Sequence, residues 1–182
     1  MRALIIGRFQ PFHKGHLRLM EFAAKEVDSL IIGIGSSQES NTRENPFSAA
    51  ERRRMIENSL AGIIFETRSN PEGVASVLNS AEPNFHILEI PDINNNELWV
   101  SHVKQIIPEF DSVYTNAELE RHLFKEAGCK VRETPFFDRG NYSGTEIRRR
   151  ILAGEVWEDL VPEGTLKVME EIKGEARIRE LG

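Results

Sequence analysis

Gly7-Arg8-Phe9-Gln10-Pro11-Phe12-His13-Lys14-Gly15-His16 lies between an apolar run, Ala3-Leu4-Ile5-Ile6, and an amphipathic segment over 17–25. A strand, a tight glycine-containing turn and a helix start in succession present backbone N–H groups and a positive dipole end to an anion. Here the cradle also carries Arg8 and two histidines, His13 and His16. A helix beginning near Lys14 would bring both imidazoles to its first turn, within reach of one phosphate. Imidazolium N–H donors suit the negative charge that builds on a polyphosphate, and Gly15 would let the backbone approach the ligand. The competing reading is a surface turn with two incidental histidines. Placement directly after the first strand, beside an arginine and a proline turn, favours phosphate chemistry.

Outward from this stretch the chain alternates strand-like and helical patterns, which predicts an α/β domain built on a parallel sheet. The first strand is expected over 2–6 and the second over 30–34, a continuous apolar run of the kind covered on both faces. The second ends in Gly35-Ser36-Ser37-Gln38, a small polar loop at the carboxyl end of a strand, where open α/β sheets bind ligands. Ser48 and Glu51 form a capping box for a helix carrying Met55, Ile56 and Leu60 and stopped by Gly62. Strands follow at 63–67, 85–90, 111–115 and 130–134, and helices at 71–78, 97–107 and 117–127. From 156 onward the pattern is one of short, charge-rich helices, with Leu166, Met169 and Ile172 at packing spacing.

A second chemical motif lies far downstream: Tyr142-Ser143-Gly144-Thr145-Glu146-Ile147-Arg148. Ser143 is a helix cap, and the Ser143 and Thr145 hydroxyls with the helix-start N–H groups can hold phosphate oxygens. Arg148, one turn into the helix, adds a forked donor. Arg149 and Arg150 project elsewhere and read as structural. Taken alone, the segment would be an N-capped surface helix.

Bulk properties narrow the field. With 182 residues the chain has the length of one domain, 1–182, able to bury a core. Its net charge of −6, from 29 acidic and 23 basic residues, argues against a nucleic-acid binder. The single cysteine, Cys129, can form no intramolecular disulfide and has no zinc-ligand spacing, which points to the cytoplasm. No apolar run reaches the ~20 residues of a membrane span, and the N-terminal residues enter a strand without a leader-like segment.

The two motifs, in this order and at this separation, resemble those of the nucleotidylyltransferase superfamily. The wording Gly-Arg-Phe-Gln-Pro-Phe-His-Lys-Gly-His and Tyr-Ser-Gly-Thr-Glu-Ile-Arg is similar to the nicotinamide-nucleotide adenylyltransferases of archaeal type. The resemblance covers nearly the whole chain. It implies a Rossmann-like open parallel sheet with helices on both faces, and transfer of the adenylyl group of ATP to nicotinamide mononucleotide, giving NAD and pyrophosphate. It implies catalytic roles for His13, His16 and Arg148. ATP contacts would come from Gly7, Arg8, Phe9, His13, Gly15, His16, Asn116, Tyr142, Ser143, Thr145 and Arg148. Mononucleotide contacts would come from Gly35, Ser36, Asp92, Asn96 and Trp99, whose indole would stack on the pyridinium ring. Mg²⁺ would be carried by ATP phosphates and water, with no protein ligand. A homo-oligomer is implied, a hexamer among the possible forms.

Two stretches depart from the family pattern. Thr115-Asn116-Ala117-Glu118 replaces the usual Ser-Gly-Asn-Pro, and 68–85 is a longer connection than the family has. Arg43 lies in a loop where the family often carries a basic phosphate contact. The alternatives are a sister nucleotidylyltransferase using nicotinic acid mononucleotide or another phosphate acceptor, and a nucleotide sensor without turnover.

Overall fold

The computed structural model describes residues 1–61, 85–135, 140 and 142–182; the strand expected over 63–67, the helix over 71–78 and Gly62 lie outside them. The chain divides into two compact units.

The first unit draws on Met1–Gly7, Met20–Gly35 and the described part of Ile63–Pro135. Among the described residues its centre is a five-stranded parallel sheet of order β3-β2-β1-β4-β5. The strands are β1 (Arg2–Gly7), β2 (Ser29–Gly35), β3 (Phe85–Ile90), β4 (Ser112–Tyr114) and β5 (Val131–Arg132). The β1 and β2 runs are apolar almost throughout because both faces are covered. They pair in register Leu4↔Ile31 and Ile5↔Ile32, while Leu4 faces Val113 of β4 on the other side. Strand order reverses beside β1, the switch point at which such sheets bind ligands beyond the strands' carboxyl ends.

Helices follow β1 and flank β4 along the chain. The first is α1 (Lys14–Ala24), of which Met20, Ala23 and Ala24 are buried. The others are α3 (Asn96–Ile106) and α4 (Glu118–Glu126). Between α3, α4 and the sheet lies a core of Leu4, Ile31, Ile90, Val100, Val103, Ile107, Val113 and Phe124. Each such side chain contributes on the order of 1.5–3 kcal/mol by leaving water. β4 and β5 are shorter than the sequence pattern suggests. The Thr115 hydroxyl accepts the Ala117 N–H at 3.1 Å and donates to Glu120 at 2.7 Å, so the chain turns away directly after Tyr114.

The second unit draws on Arg8–Leu19, Ser36–Gly62 and the described part of Phe136–Gly182. It holds α2 (Ala49–Leu60), α5 (Gly144–Ala153), a 3₁₀ turn (Glu158–Leu160), α6 (Glu163–Glu171) and α7 (Gly174–Leu181). The α2 capping box forms as the sequence predicts, with Ser48 Oγ accepting from Glu51 N and the Glu51 carboxylate returning to Ser48 N. That carboxylate has a second task. It pairs with both terminal nitrogens of Arg177 in α7, at 2.8 and 2.9 Å, and Arg177 also donates to Pro46 O at 3.2 Å. Burial raises the Glu51 pKa, but Arg177 and the Ser48 bonds outweigh it and hold the pKa below its ordinary value. The C-terminal helices thus brace the loop that enters α2. Trp157 is buried, as a packing residue would be.

Candidate active site

α1 begins at Lys14, and His13 caps it: the His13 carbonyl accepts the N–H groups of His16 at 2.9 Å and Leu17 at 3.1 Å. The two histidines then cap one another. His13 N donates to His16 Nδ1 and His16 N donates to His13 Nδ1, both at 3.3 Å. Their rings stack with centroids 3.5 Å apart and planes 17° from parallel. Phe9 meets the His16 ring edge-on at 4.7 Å and Phe12 stacks on it at 5.5 Å. A nitrogen that accepts an N–H carries no proton, so each ring is protonated at Nε2 and is neutral in this arrangement. Burial, opposed by a backbone hydrogen bond, brings the His13 pKa down to about 4. Burial and then its neighbour's charge put His16 well below its ordinary value. The expected imidazolium donors are therefore neutral Nε2–H donors, because two cations cannot share this stack.

The second motif meets the first through two close backbone approaches. Ser143 caps α5, its Oγ accepting from Glu146 N at 3.1 Å. Next to it, a β-carbon on Gly144 would stand 2.6 Å from the Gln10 carbonyl oxygen. Arg148 Nη1 donates to that same carbonyl at 2.6 Å. A β-carbon on Gly15 would stand 2.9 Å from Cβ of Tyr142 and 3.1 Å from the His13 ring. Gly15 therefore serves contact between the two motifs; the sequence suggested contact with ligand. The Tyr142 ring lies under the Arg18 guanidinium at 4.8 Å.

Arg148 is half-buried, and its pKa is lowered first by burial and then by the charge of Arg8, with Glu44 acting the other way. Among the described residues neither Arg8 nor Arg148 forms an ion pair. Two guanidinium groups in mutual repulsion, one of them bonded to the turn that leads to His13 and His16, suit an anion with several oxygens. Arg149 and Arg150 are instead taken up by Glu146, at 2.8 Å each, and Arg149 also by Glu155 at 2.6 Å. Arg43 is exposed on the 36–47 loop.

Gly7 and Gly35 end β1 and β2, where a β-carbon on Gly35 would contact Gly7 O at 3.7 Å. Ser36 follows with φ +46°. Asp92 accepts from Asn94 N at 2.9 Å, Asn95 caps α3, and Asn96 is its exposed first residue. Trp99 is half-buried, edge-on to Phe124 at 5.7 Å, so one side of the indole belongs to the core. Asn116 spends its amide on Thr134, donating to the Thr134 carbonyl at 3.0 Å and hydroxyl at 2.7 Å and accepting its N–H at 3.1 Å. Its evident work is to join the ends of β4 and β5.

Sequence reasoning missed three residues that hold the cradle. Gln10 is buried, and its amide pairs with Phe47 in both directions at 2.9 Å. Arg52 is fully buried. Arg177 reaches the same loop from α7. The signal for Arg52 was a charge on the apolar face of α2, three and four residues before Met55 and Ile56. Nothing local announced the other two.

The donor set suits anionic oxygens, whereas a hard cation takes carboxylate and carbonyl oxygens. Among the described residues there is no group of three or more His, Cys, Asp or Glu arranged for a metal ion. Nor is any helix among them long and apolar enough to cross a membrane.

Comparison with known proteins matches residues 4–150 to the family described as cytidylyltransferase-like. A nicotinamide-nucleotide adenylyltransferase of Archaeoglobus fulgidus is 45% identical over 181 residues, covering 100% of this chain and 97% of its own. Its counterpart in Thermoplasma acidophilum is 46% identical, covering 99% and 91%, and that of Pyrococcus horikoshii is 43% identical, covering 100% and 89%. The fold is shared with a bifunctional NMN adenylyltransferase/ADP ribose pyrophosphatase from Francisella tularensis, solved with AMP and a manganese ion. That likeness has a TM-score of 0.73 at 22% identity, and this chain, 99% covered, spans 51% of that one. The chain belongs to the cytidylyltransferase-like family, among the nicotinamide-nucleotide adenylyltransferases of archaeal type.

Proposed function

We propose that this protein transfers the adenylyl group of ATP to nicotinamide mononucleotide, forming NAD and pyrophosphate. The observation that carries the reading is the cradle of His13, His16, Arg8 and Arg148, all donors, in a chain 42–46% identical to adenylyltransferases along its full length. The mononucleotide phosphate attacks the α-phosphorus of ATP in line, a P–O bond forms, and the bond to the β-phosphate oxygen breaks. A phosphate monoester is already ionised near neutral pH, so no strong base is needed and catalysis is positioning plus charge stabilisation.

Nε2–H of His16 donates to the α-phosphate and that of His13 to the neighbouring phosphates. Arg148 and Arg8 neutralise the leaving pyrophosphate, with Ser143, Thr145 and the start of α5 on its outer oxygens. The family resemblance assigns Gly7, Phe9, Gly15, Tyr142 and Asn116 to ATP. Gly35, Ser36, Asp92, Asn96 and Trp99 take the mononucleotide, with the exposed side of Trp99 against the pyridinium ring. Mg²⁺ would come with ATP and would offset charge on its phosphates, and the protein's own part is the set of donors above. The enzyme works in the cytoplasm as a homo-oligomer, which light scattering after size exclusion would read.

Label position tests the reaction. With α-³²P ATP the label is expected in NAD, and with γ-³²P ATP in pyrophosphate; label in ADP or inorganic phosphate would contradict it.

A further inference from the structure

Arg52 occupies the first turns of α2 with no exposed surface, and four of its bonds go to main-chain carbonyls of three segments. Nη1 donates to Arg8 O at 2.9 Å, in the turn after β1. Nη2 donates to Ser36 O at 3.2 Å and Glu39 O at 3.4 Å, in the loop after β2. Nε donates to Ser48 O at 3.2 Å, at the start of its own helix. The rigid fork of a guanidinium can hold several acceptors at fixed angles, and a lysine cannot.

The places it grips are strained. Phe9, whose peptide nitrogen follows the Arg8 carbonyl, has φ +52°, and Ser36 has φ +46°. A left-handed backbone costs a non-glycine residue on the order of 1 kcal/mol or more, and persists only where the surroundings over-determine it. Both strained residues leave the carboxyl ends of neighbouring parallel strands, and both are tied to the same side chain.

From this we infer that Arg52 is a positioning residue: it locks the two βα turns that present Arg8 and Ser36, without touching substrate. The inference rests on the reading of Arg8 as a phosphate ligand. A misplacement of ~1 Å at such a site costs on the order of 100-fold in rate. Arg52→Ala should lower kcat/KM for NAD formation by about that factor. Because the substitution leaves a guanidinium-shaped hole, millimolar guanidinium chloride should restore activity at least ~10-fold, the share expected if the fork geometry is what is lost. The same concentration of sodium chloride should not, and the melting temperature should not move with the rescue. Arg52→Lys, which keeps the charge and loses the fork, should stay impaired.

ATP affinity by calorimetry separates this from the proposed reaction. If the wild type binds ATP yet makes no NAD, the reaction is misassigned while the guanidinium-dependent ATP affinity of Arg52→Ala still reads the positioning role. A folded Arg52→Ala or Arg52→Lys with near wild-type kcat/KM and ATP affinity would overturn the inference. So would a loss that guanidinium leaves untouched, or a failure of both variants to fold.

Discussion

His13 and His16 each accept the other's backbone N–H through Nδ1 at 3.3 Å while their rings stack at 3.5 Å. The bonds cap the helix and also fix the chemistry. With both Nδ1 atoms occupied, only Nε2–H remains to meet a ligand, and a proton added to either ring at Nδ1 would break a cap. The pair is built to donate while neutral.

Acid should therefore weaken the fold before the carboxylates titrate. The folded His13 pKa is lowered to about 4 from 6.5, so the unfolded chain takes up a proton that the native state refuses. Stability contributed by this neutral histidine is present above pH 6.5 and is lost as pH falls from there towards 4, by about 3 kcal/mol. Loss through Glu51, whose folded pKa is depressed, begins only below its ordinary 4.5. Calorimetry from pH 7 to 4.5 should show a falling melting temperature, and His13→Asn should flatten that slope. An equal slope in both proteins would remove His13 from this role.

His16→Ala should act on turnover, lowering kcat by a factor of ~100 or more, the scale for losing one transition-state donor. Steady-state kinetics at saturating ATP would measure it. A kcat near wild type would reassign the α-phosphate contact.

Gly144→Ala tests the junction of the two motifs. Alanine improves helix propensity by up to ~1 kcal/mol over glycine. Here its β-carbon would stand 2.6 Å from Gln10 O, a main-chain atom that cannot swing away. The expected outcome is weaker ATP binding, by at least ~10-fold, with no rise in melting temperature, because Arg148 shares that carbonyl. Calorimetric titration with ATP reads the first and a thermal melt the second.

Much of this was legible in the chain and some was not. Apolar runs at β1, β2 and β3, the Ser48–Glu51 box and the Ser143 cap are local signals, and each appears where the pattern puts it. The His13–Lys14–Gly15–His16 spacing and the distant Arg148 named the candidate cradle. The reciprocal histidine caps could not be read, because a tautomer depends on where a backbone N–H points. Gln10, Arg52 and Arg177 were hidden for another reason. Their partners lie 37, 44 and 126 residues away, and each bonds backbone or a carboxylate whose nearness only the fold creates. Asn116 shows the converse: it resembles a ligand contact in sequence, while its amide is committed to Thr134.

Trp99→Ala addresses the acceptor side. Loss of stacking and cation–π energy, on the order of 1–2 kcal/mol, should raise the KM for nicotinamide mononucleotide roughly 5- to 30-fold with little change for ATP. Because the indole also packs on Phe124, the melting temperature should fall as well. Equal weakening towards both substrates would mean that packing is its whole role.

The most direct test is to mix the purified protein with ATP, Mg²⁺ and nicotinamide mononucleotide and follow NAD and pyrophosphate together. Equimolar appearance of the two, dependent on the mononucleotide, is the predicted result. ATP bound in the cradle with neither product formed would contradict the account.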